Sequence, residues 1–559
     1  MLPSLKDIDP EKIFSPEEFK GVLYLLLNAL EESTQRNEEQ ARQIQELKDI
    51  IARLTGGNAR PDIKASKTQT GLDISSQGKE RGNKDKTQNS DKRNKEAEGE
   101  PPVDKEIRVE MQPADLPADA EFKGYIKYYQ QDLLIRRNNK LFLFASYYSA
   151  SEGKSYRAAF PKGECEGHFG AGVGSLINIL HHYGNVTQSK LCGLLDGFGI
   201  RISAGCISNI LQAGHDWSVG EQGQILQAGL GRGSFKQMDS TSNRENGVNK
   251  VTHIIADPSF SVFYTLASKS RIDCLRALQG NPGADMQIQW HEGTETMWAG
   301  VSKADCRKVM CALKENGPQV ISIGMFEELL KKQVPDVYGK SRIVHILSEA
   351  MALDYYRQQQ DFPPLETLLS DDAPEYGKIA LYQALCWIHD ARYYNKLQPQ
   401  IDVMKDKLEA FKTAYWGFYQ MLLDYKELPG CRRQEEKEKI AKKFDEIFGP
   451  ATCYGALDLC IKRTRDNKEK LLRVLDFPDI PLHNNAAELA ARRVVRKRDI
   501  SLHTMTKKGT ELRDAFLSII ETAQKLGISA YQYINDRITE AYSMPSLAEI
   551  IRARFTVTF

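Results

Sequence analysis

The stretch LHNNAAELAARRVVRKRDISLHTMTKKG, from Leu482 to Gly509, decides how the rest of the chain is read. Asn484 or Asn485 can cap a helix by accepting hydrogen bonds from its first free N–H groups, and the alanines that follow propagate it. Glu488 sits in the first turn, with Arg492 one turn further on the same face. Behind it run Arg492, Arg493, Arg496, Lys497 and Arg498. A carboxylate beside a basic rail suits a metal ion and a phosphate backbone. The plain alternative is a surface helix whose Glu488–Arg492 pair is solvated and contributes little, so the surrounding chain has to decide between them.

At 559 residues the chain can bury several cores, and its net charge of +1 conceals locally concentrated basic residues. Ten cysteines are scattered without a C-x-x-C pair, which signals neither a disulfide framework nor a zinc ribbon and fits a reducing compartment. The apolar run Val22–Leu30 is too short to span a bilayer and lacks a basic leader or cleavage site. The expectation is a cytoplasmic, nucleoid-associated protein with no membrane partner.

Working from the amino terminus, Leu23, Leu26, Leu30, Ser33, Asn37, Gln40, Ile44, Leu47, Ile51 and Leu54 alternate spacings of three and four. That pattern predicts a coiled coil over 21–55 and a homodimer or higher oligomer through it, an amphipathic helix packed on its own chain being the other reading. Residues 56–104 are Gly, Asn, Ser, Lys, Asp and Glu with few apolar side chains, the composition of a disordered linker. Residues 105–230 read as a DNA-binding region. In it, Phe122 to Phe144 alternates aromatic and basic residues as a small β-rich unit would, and a helix surrounds Val173–His182. VTQSKLCGLLDGFGIRISAGCISNIL (186–211) has helix-turn-helix rhythm: Thr187 caps the first helix, Gly197 and Gly199 make the turn, and Ser203 starts a second helix carrying Ser208 and Asn209 outward. The spacing is common among helical proteins and is a weak signal alone.

Beyond Gly233, three strands read as an antiparallel meander, followed by a helix near Ile272. Asp239 ends the first strand; Asp257, ending the second, precedes a turn signal. Residues 280–340 form an insertion without an assigned role. LETLLSDDAPEY is a strand ending in Asp371 and Asp372 before Pro374 opens a helix. There Asp372 is placed to cap the helix, leaving Asp371 for a metal. LYQALCWI reads as a further strand, 381–478 as a mostly helical insertion, 479–505 as the helix of Glu488, and 506–559 as C-terminal helices broken at Gly527. Meander, strand with acid and helix with acid, spanning 231–380 and 479–505, are the layout of a ribonuclease H-like core. Asp239, Asp371 and Glu488 would converge there. Three carboxylates can hold two divalent ions about 4 Å apart for in-line phosphodiester displacement, and carboxylates select Mg²⁺, with Mn²⁺ as a substitute. The fold class is thus multidomain α+β.

PLHNNAAELAAR (481–492) resembles the D-N-N-A-A-E-R-A-L-R signature of the insertion sequence 66 family of bacterial DDE transposases. CWIHDARYYNKLQP (386–399) resembles that family's C-W-x-H-x-x-R block. His483 stands where the family commonly has Asp, and Leu489 where it has Arg; both bear on positioning. The resemblance implies that Asp239, Asp371 and Glu488 are the catalytic acids. It also implies DNA strand cleavage and transfer at the ends of a mobile element and into a target, with accessory proteins as further partners. The family's cysteine-pair zinc motif is missing, only Cys165 and His168 lying nearby, so no structural zinc is expected. Cys386 and His389 alone are two donors short of a metal site, Trp387 reads as core more readily than as a stacking platform for a base, and Arg392 is a candidate phosphate contact. A nuclease without strand transfer and a DNA-binding protein with a dead core remain the alternatives.

Overall fold

The computed structural model describes residues 15–54, 103–109, 124–164, 166–280, 283, 285–291, 294–315, 320–360 and 363–554. The predicted linker, apart from residues 103 and 104, lies outside them, as does Cys165. Among the described residues the chain is mixed α and β. Its strands are β1 (Ser146–Ser149), β2 (Lys154–Arg157), β3 (Lys236–Glu245), β4 (Val248–Ala256), β5 (Ser261–Leu266), β6 (Gln287–Gln289), β7 (Val320–Ser322), β8 (Thr367–Ser370) and β9 (Tyr382–Leu385).

The central sheet has the order β5-β4-β3-β8-β9. β3, β4 and β5 pair antiparallel, while β3–β8 and β8–β9 are parallel. β8 is buried throughout and reads TLLS, the apolar run a strand covered on both faces requires. Between β5 and β8 the chain makes the helix Arg271–Gln279, the small β6–β7 ladder and the helix Ser341–Gln358. Their apolar faces join the largest core, with Leu275, Ile288, Leu347 and Tyr356.

The outer strand β5 is met by the helix Lys507–Lys525 in an unusual way. Ser261 N donates to Thr522 Oγ1 at 3.2 Å, Phe263 N to Ser518 Oγ at 3.1 Å, and Thr265 N to Asp514 Oδ2 at 2.8 Å. Four helical residues rise about 6 Å and two strand residues about 6.6 Å, so side chains spaced by four on the helix meet alternate strand amides in step.

The helix His215–Leu230 crosses this layer through Gly229, where an added Cβ would lie 2.4 Å from Phe260 Cε1. The ring is fully buried and cannot swing away. Gly229→Ala is therefore expected to lower stability by about 1–3 kcal/mol, read as a lower urea midpoint with an unchanged slope.

A second core belongs to the helices Asp402–Glu427, Gly430–Phe448 and Gly455–Asp466, broken at Pro429-Gly430 and Gly449-Pro450. The long helix Pro16–Leu54 lies on this unit. Tyr24 and Leu27 pack against it, and Lys407 sits 3.7 Å over the Tyr24 ring. The buried Glu31 carboxylate accepts from Gln400 N at 2.7 Å and Ile401 N at 3.0 Å. Leu23, Leu26, Leu30, Ile44 and Leu47 of the heptad seam remain exposed on another face.

Several boundaries differ from the sequence reading. Residues 124–145 form no strand, and the hairpin β1–β2 comes after them. β9 stops at Leu385, so Cys386 is the N-cap and Trp387–Asn395 the helix. The tail holds a third helix, Leu547–Arg554. In the 186–211 segment, Ser203 accepts from Cys206 N at 3.2 Å as a cap does, whereas Thr187 makes no side-chain cap bond. No helix among the described residues is long and apolar enough to cross a membrane.

Candidate active site

Parallel pairing sets the first two acids beside each other. Gln237 is opposite Leu369 across β3 and β8; Asp239 follows two residues on within β3, and Asp371 comes immediately after β8 ends at Ser370. Asp239 points the same way as Gln237 because strand side chains alternate, and the Asp371 charge is near enough to act on its carboxyl. Asp239 is half-buried, and its Oδ1 accepts from Ser240 N at 2.7 Å. Burial pushes its carboxyl up to about 6 against that bond, and the charges of Asp371 and Glu488 add to the rise. Asp371 Oδ1 accepts from Ala373 N at 3.2 Å. The expected cap by Asp372 is not what the structure shows: Asp372 pairs with Arg463, and the turn Pro374–Tyr376 has no side-chain cap. Arg463 also reaches Asp390 Oδ1 at 3.2 Å and stacks on Tyr393, so the helical insertion holds the loop after Asp371 in place.

The helix Asn485–Ser501 carries the third acid, and its start is tied down from two sides. The asparagine cap predicted from sequence is absent. Instead Gln237 Oε1, on β3 two residues before Asp239, accepts from Ala486 N at 3.0 Å and Ala487 N at 3.3 Å. Buried Asn484 turns its amide the other way and donates to Met238 O at 2.9 Å. On the opposite side, Trp387 N donates to Leu482 O at 3.0 Å, and Asn484 N to Cys386 Sγ at 3.3 Å. Small Ala487, Ala490, Ala491 and Val494 let the helix settle on Ile254, Ala256 and Phe263. Glu488 therefore has a fixed position relative to both the Asp239 strand and the Cys386 turn.

Around Glu488 the partners come from the helix Trp387–Asn395. Arg392 Nη2 lies 3.2 Å from both carboxylate oxygens, and His389 Nδ1 lies 3.4 Å from Oε1. Arg392, expected to meet phosphate, is thus occupied by Glu488. Burial and the Arg392 charge lower the His389 pKa against the pull of Glu488, Asp371 and Asp372. Lys269 pairs with Glu375 at 2.8 Å; burial works against its charge, but Glu375, Asp371 and Asp239 outweigh it and raise its pKa. Gln237, Lys269 and Arg463 were not singled out from sequence. Nothing local marks them, since their partners lie far along the chain.

The basic rail does not face one way. Arg493 pairs with Glu521 and stacks on Tyr183 at 4.6 Å. Lys497 is buried, donating to His181 O, and burial with the Arg513 charge brings its pKa down to about 8. Arg498 donates to Ser242 Oγ at 2.8 Å. The five basic residues named as DNA contacts cannot all face one way on a helix, and these bonds show which are turned to the protein; Arg492 and Arg496 are the exposed pair, four residues apart. Asn209 is exposed, whereas Ser208 is half-buried and accepts from Gln212 Nε2 at 3.0 Å. Trp387 is fully buried, and Asp257 accepts from Ser259 N and Phe260 N in a turn while pairing with Lys236 at 3.3 Å.

Comparison with known proteins gives two matches. Residues 356–512 match the family described as Transposase IS66 family, a window that includes Asp371, Arg392 and Glu488 and leaves out Asp239. An uncharacterized protein, y4jO, of Sinorhizobium fredii is 30% identical over 337 residues, which is 59% of this chain and 100% of that protein. No solved structure matches. With its Asn-Asn-Ala-Ala-Glu helix and Cys-Trp-Ile-His turn inside the matched window, the chain belongs to the IS66 family of transposases.

Proposed function

We propose that this transposase cuts and joins DNA strands at a carboxylate site made of Asp239, Asp371 and Glu488 in a ribonuclease H-like core. The observation that carries the reading is the anchoring of Gln237 to the Glu488 helix, two residues before Asp239 and in register with the Asp371 strand. The sheet order β5-β4-β3-β8-β9, antiparallel then parallel, supports the core assignment. The donors are all carboxylate oxygens, a set that fits hard divalent ions such as Mg²⁺, with Mn²⁺ able to substitute. Bound there, such ions supply charge stabilisation to the attacking and leaving oxygens.

The chain's own residues do the rest. Arg392 and His389 orient the Glu488 carboxylate, Arg463 keeps Asp372 out of the cluster, and Lys269 stands beside both aspartates to meet a phosphate. The 186–211 helices and the exposed arginines of the Glu488 helix contact DNA. Two copies pair through the exposed seam of the helix Pro16–Leu54, a face its docking on the helical insertion leaves bare, and so hold two element ends together. The test is cleavage and joining of labelled DNA carrying the element's ends, with Mg²⁺.

The rail separates by salt. Arg496→Ala, which removes a guanidinium from a backbone phosphate, should reduce the slope of log affinity against log salt by about 1. Lys497→Met should leave that slope alone, because its ammonium is buried on a carbonyl. Fluorescence anisotropy on the same DNA at several salt concentrations reads both; equal slopes for Arg496→Ala and the unaltered protein would remove Arg496 from the interface.

A further inference from the structure

Three different donor types meet at the turn between β9 and the next helix. Cys386 Sγ, a ring nitrogen of His389 and a carboxylate oxygen of Glu488 lie within 4.8 Å of one another. The backbone builds this group. Cys386 caps the helix that begins at Trp387, which places His389 three residues on, in its first turn. The bond from Asn484 N to Cys386 Sγ then brings in the start of the Glu488 helix. His389 Nδ1 is buried, makes no hydrogen bond and faces Glu488 Oε1 at 3.4 Å. An imidazole nitrogen and a sulfur converging on one carboxylate, with the buried nitrogen left without a hydrogen bond, offer three donors that a single cation could bridge.

We propose that Cys386, His389 and Glu488 form a binding site for a thiophilic divalent ion of the Zn²⁺ class. The donor set decides the class: sulfur, imidazole and one carboxylate suit Zn²⁺ or Co²⁺, whereas Mg²⁺ takes hard oxygens. Zn²⁺ bonds sulfur at about 2.3 Å and imidazole or carboxylate at about 2.0–2.2 Å, so small side-chain shifts close the group. Three protein ligands leave the fourth position to water. Burial keeps the Cys386 thiol protonated, pushing it up to about 11; binding releases that proton to solvent as the sulfur–metal bond forms. Arg392 competes for the same carboxylate and is displaced from Oε1.

The site has a consequence that rests on the function proposed above. Glu488 held by a thiophilic ion is withdrawn from Asp239 and Asp371, so Zn²⁺ switches the Mg²⁺-supported reaction off, reversibly.

The test uses the full chain, stripped with a chelator and titrated with Co²⁺, whose thiolate charge-transfer absorption reports sulfur coordination. The unaltered protein should take up one equivalent that Cys386→Ser and Glu488→Gln each bind more than about 100-fold more weakly, beyond the cost of losing an outer partner. Glu488→Gln keeps the side chain's shape and guards against loss of fold in the cysteine variant. Asp239→Asn should bind the ion unchanged, which separates this site from the proposed Mg²⁺ site. Uptake and absorption identical in all four proteins would overturn the proposal, whether or not any of them cleaves DNA. In the cleavage assay, Zn²⁺ should suppress the unaltered protein while the rate that Cys386→Ser retains is insensitive to it. Equal suppression of both would overturn the switch.

Discussion

Glu488→Gln should bind labelled element ends as the unaltered protein does and produce no joined strands, with cleavage reduced by at least about 10³-fold. That is the scale on which removing one preorganised charge-stabilising group acts, and here the lost charge also belongs to the proposed ion-binding set. Glutamine preserves the volume and the approach of Arg392, 3.2 Å away, so the helix start pinned by Gln237 and Asn484 should not move. The unfolding midpoint should accordingly stay close to that of the unaltered protein, Arg392 being nearly half exposed and able to solvate its charge. Asp239→Asn should behave the same way. If either variant still joined strands at an appreciable rate, the carboxylate assignment would fail. An unaltered protein that bound the ends without cutting them would favour a binding protein with a dead core.

Trp387→Ala should have the largest effect on stability, about 3–5 kcal/mol. The indole is fully buried among Tyr415, Phe418, Phe444 and Phe448, at centroid distances of 5.6, 5.5, 6.4 and 6.3 Å. Its Nε1 donates to Leu471 O at 2.9 Å, and Tyr415 donates back to Trp387 O at 2.8 Å. Truncation leaves a cavity too enclosed by rigid rings to collapse, with a carbonyl left unpaired. Because a domain's net stability is about 5–15 kcal/mol, this is enough to loosen the helical insertion while the sheet stays folded. Limited proteolysis within residues 402–466 at low urea, followed by helical circular dichroism, measures it. A variant of unchanged stability that had lost DNA affinity would return Trp387 to the role of a base-stacking platform.

The same tryptophan shows why parts of this chain were legible and others not. The three meander strands and the Glu488 helix follow from local pattern, since alternation, turn residues and small helix formers act over a few residues; Asp239, expected at the end of the first strand, instead lies inside it, because β3 pairs with β4 on to Glu245. The start of the helix at Trp387 does not, because Leu-Cys-Trp-Ile is equally apolar as strand or buried helix and only the tertiary contacts of Trp387 choose. Gln237 illustrates the second kind of gap. It occupies a cap position that Asn484 was expected to fill, from 249 residues away in sequence. The aromatic-basic stretch after residue 122 misled for a third reason. β-propensity needs a surface to pack on, and Ile126, Tyr128, Leu133 and Leu143 are exposed.

The polar ladder that Asp514, Ser518 and Thr522 offer to β5 bears on how copies of the protein can meet. A sheet margin with bare amides invites a strand from a neighbour, the route to domain swapping and aggregation. Here the outward amides of Ser261, Phe263 and Thr265 are already engaged, so the central sheet has little to offer an intruding strand on that side. Copies of the chain that approach one another along this margin would therefore meet no row of free amides to pair with.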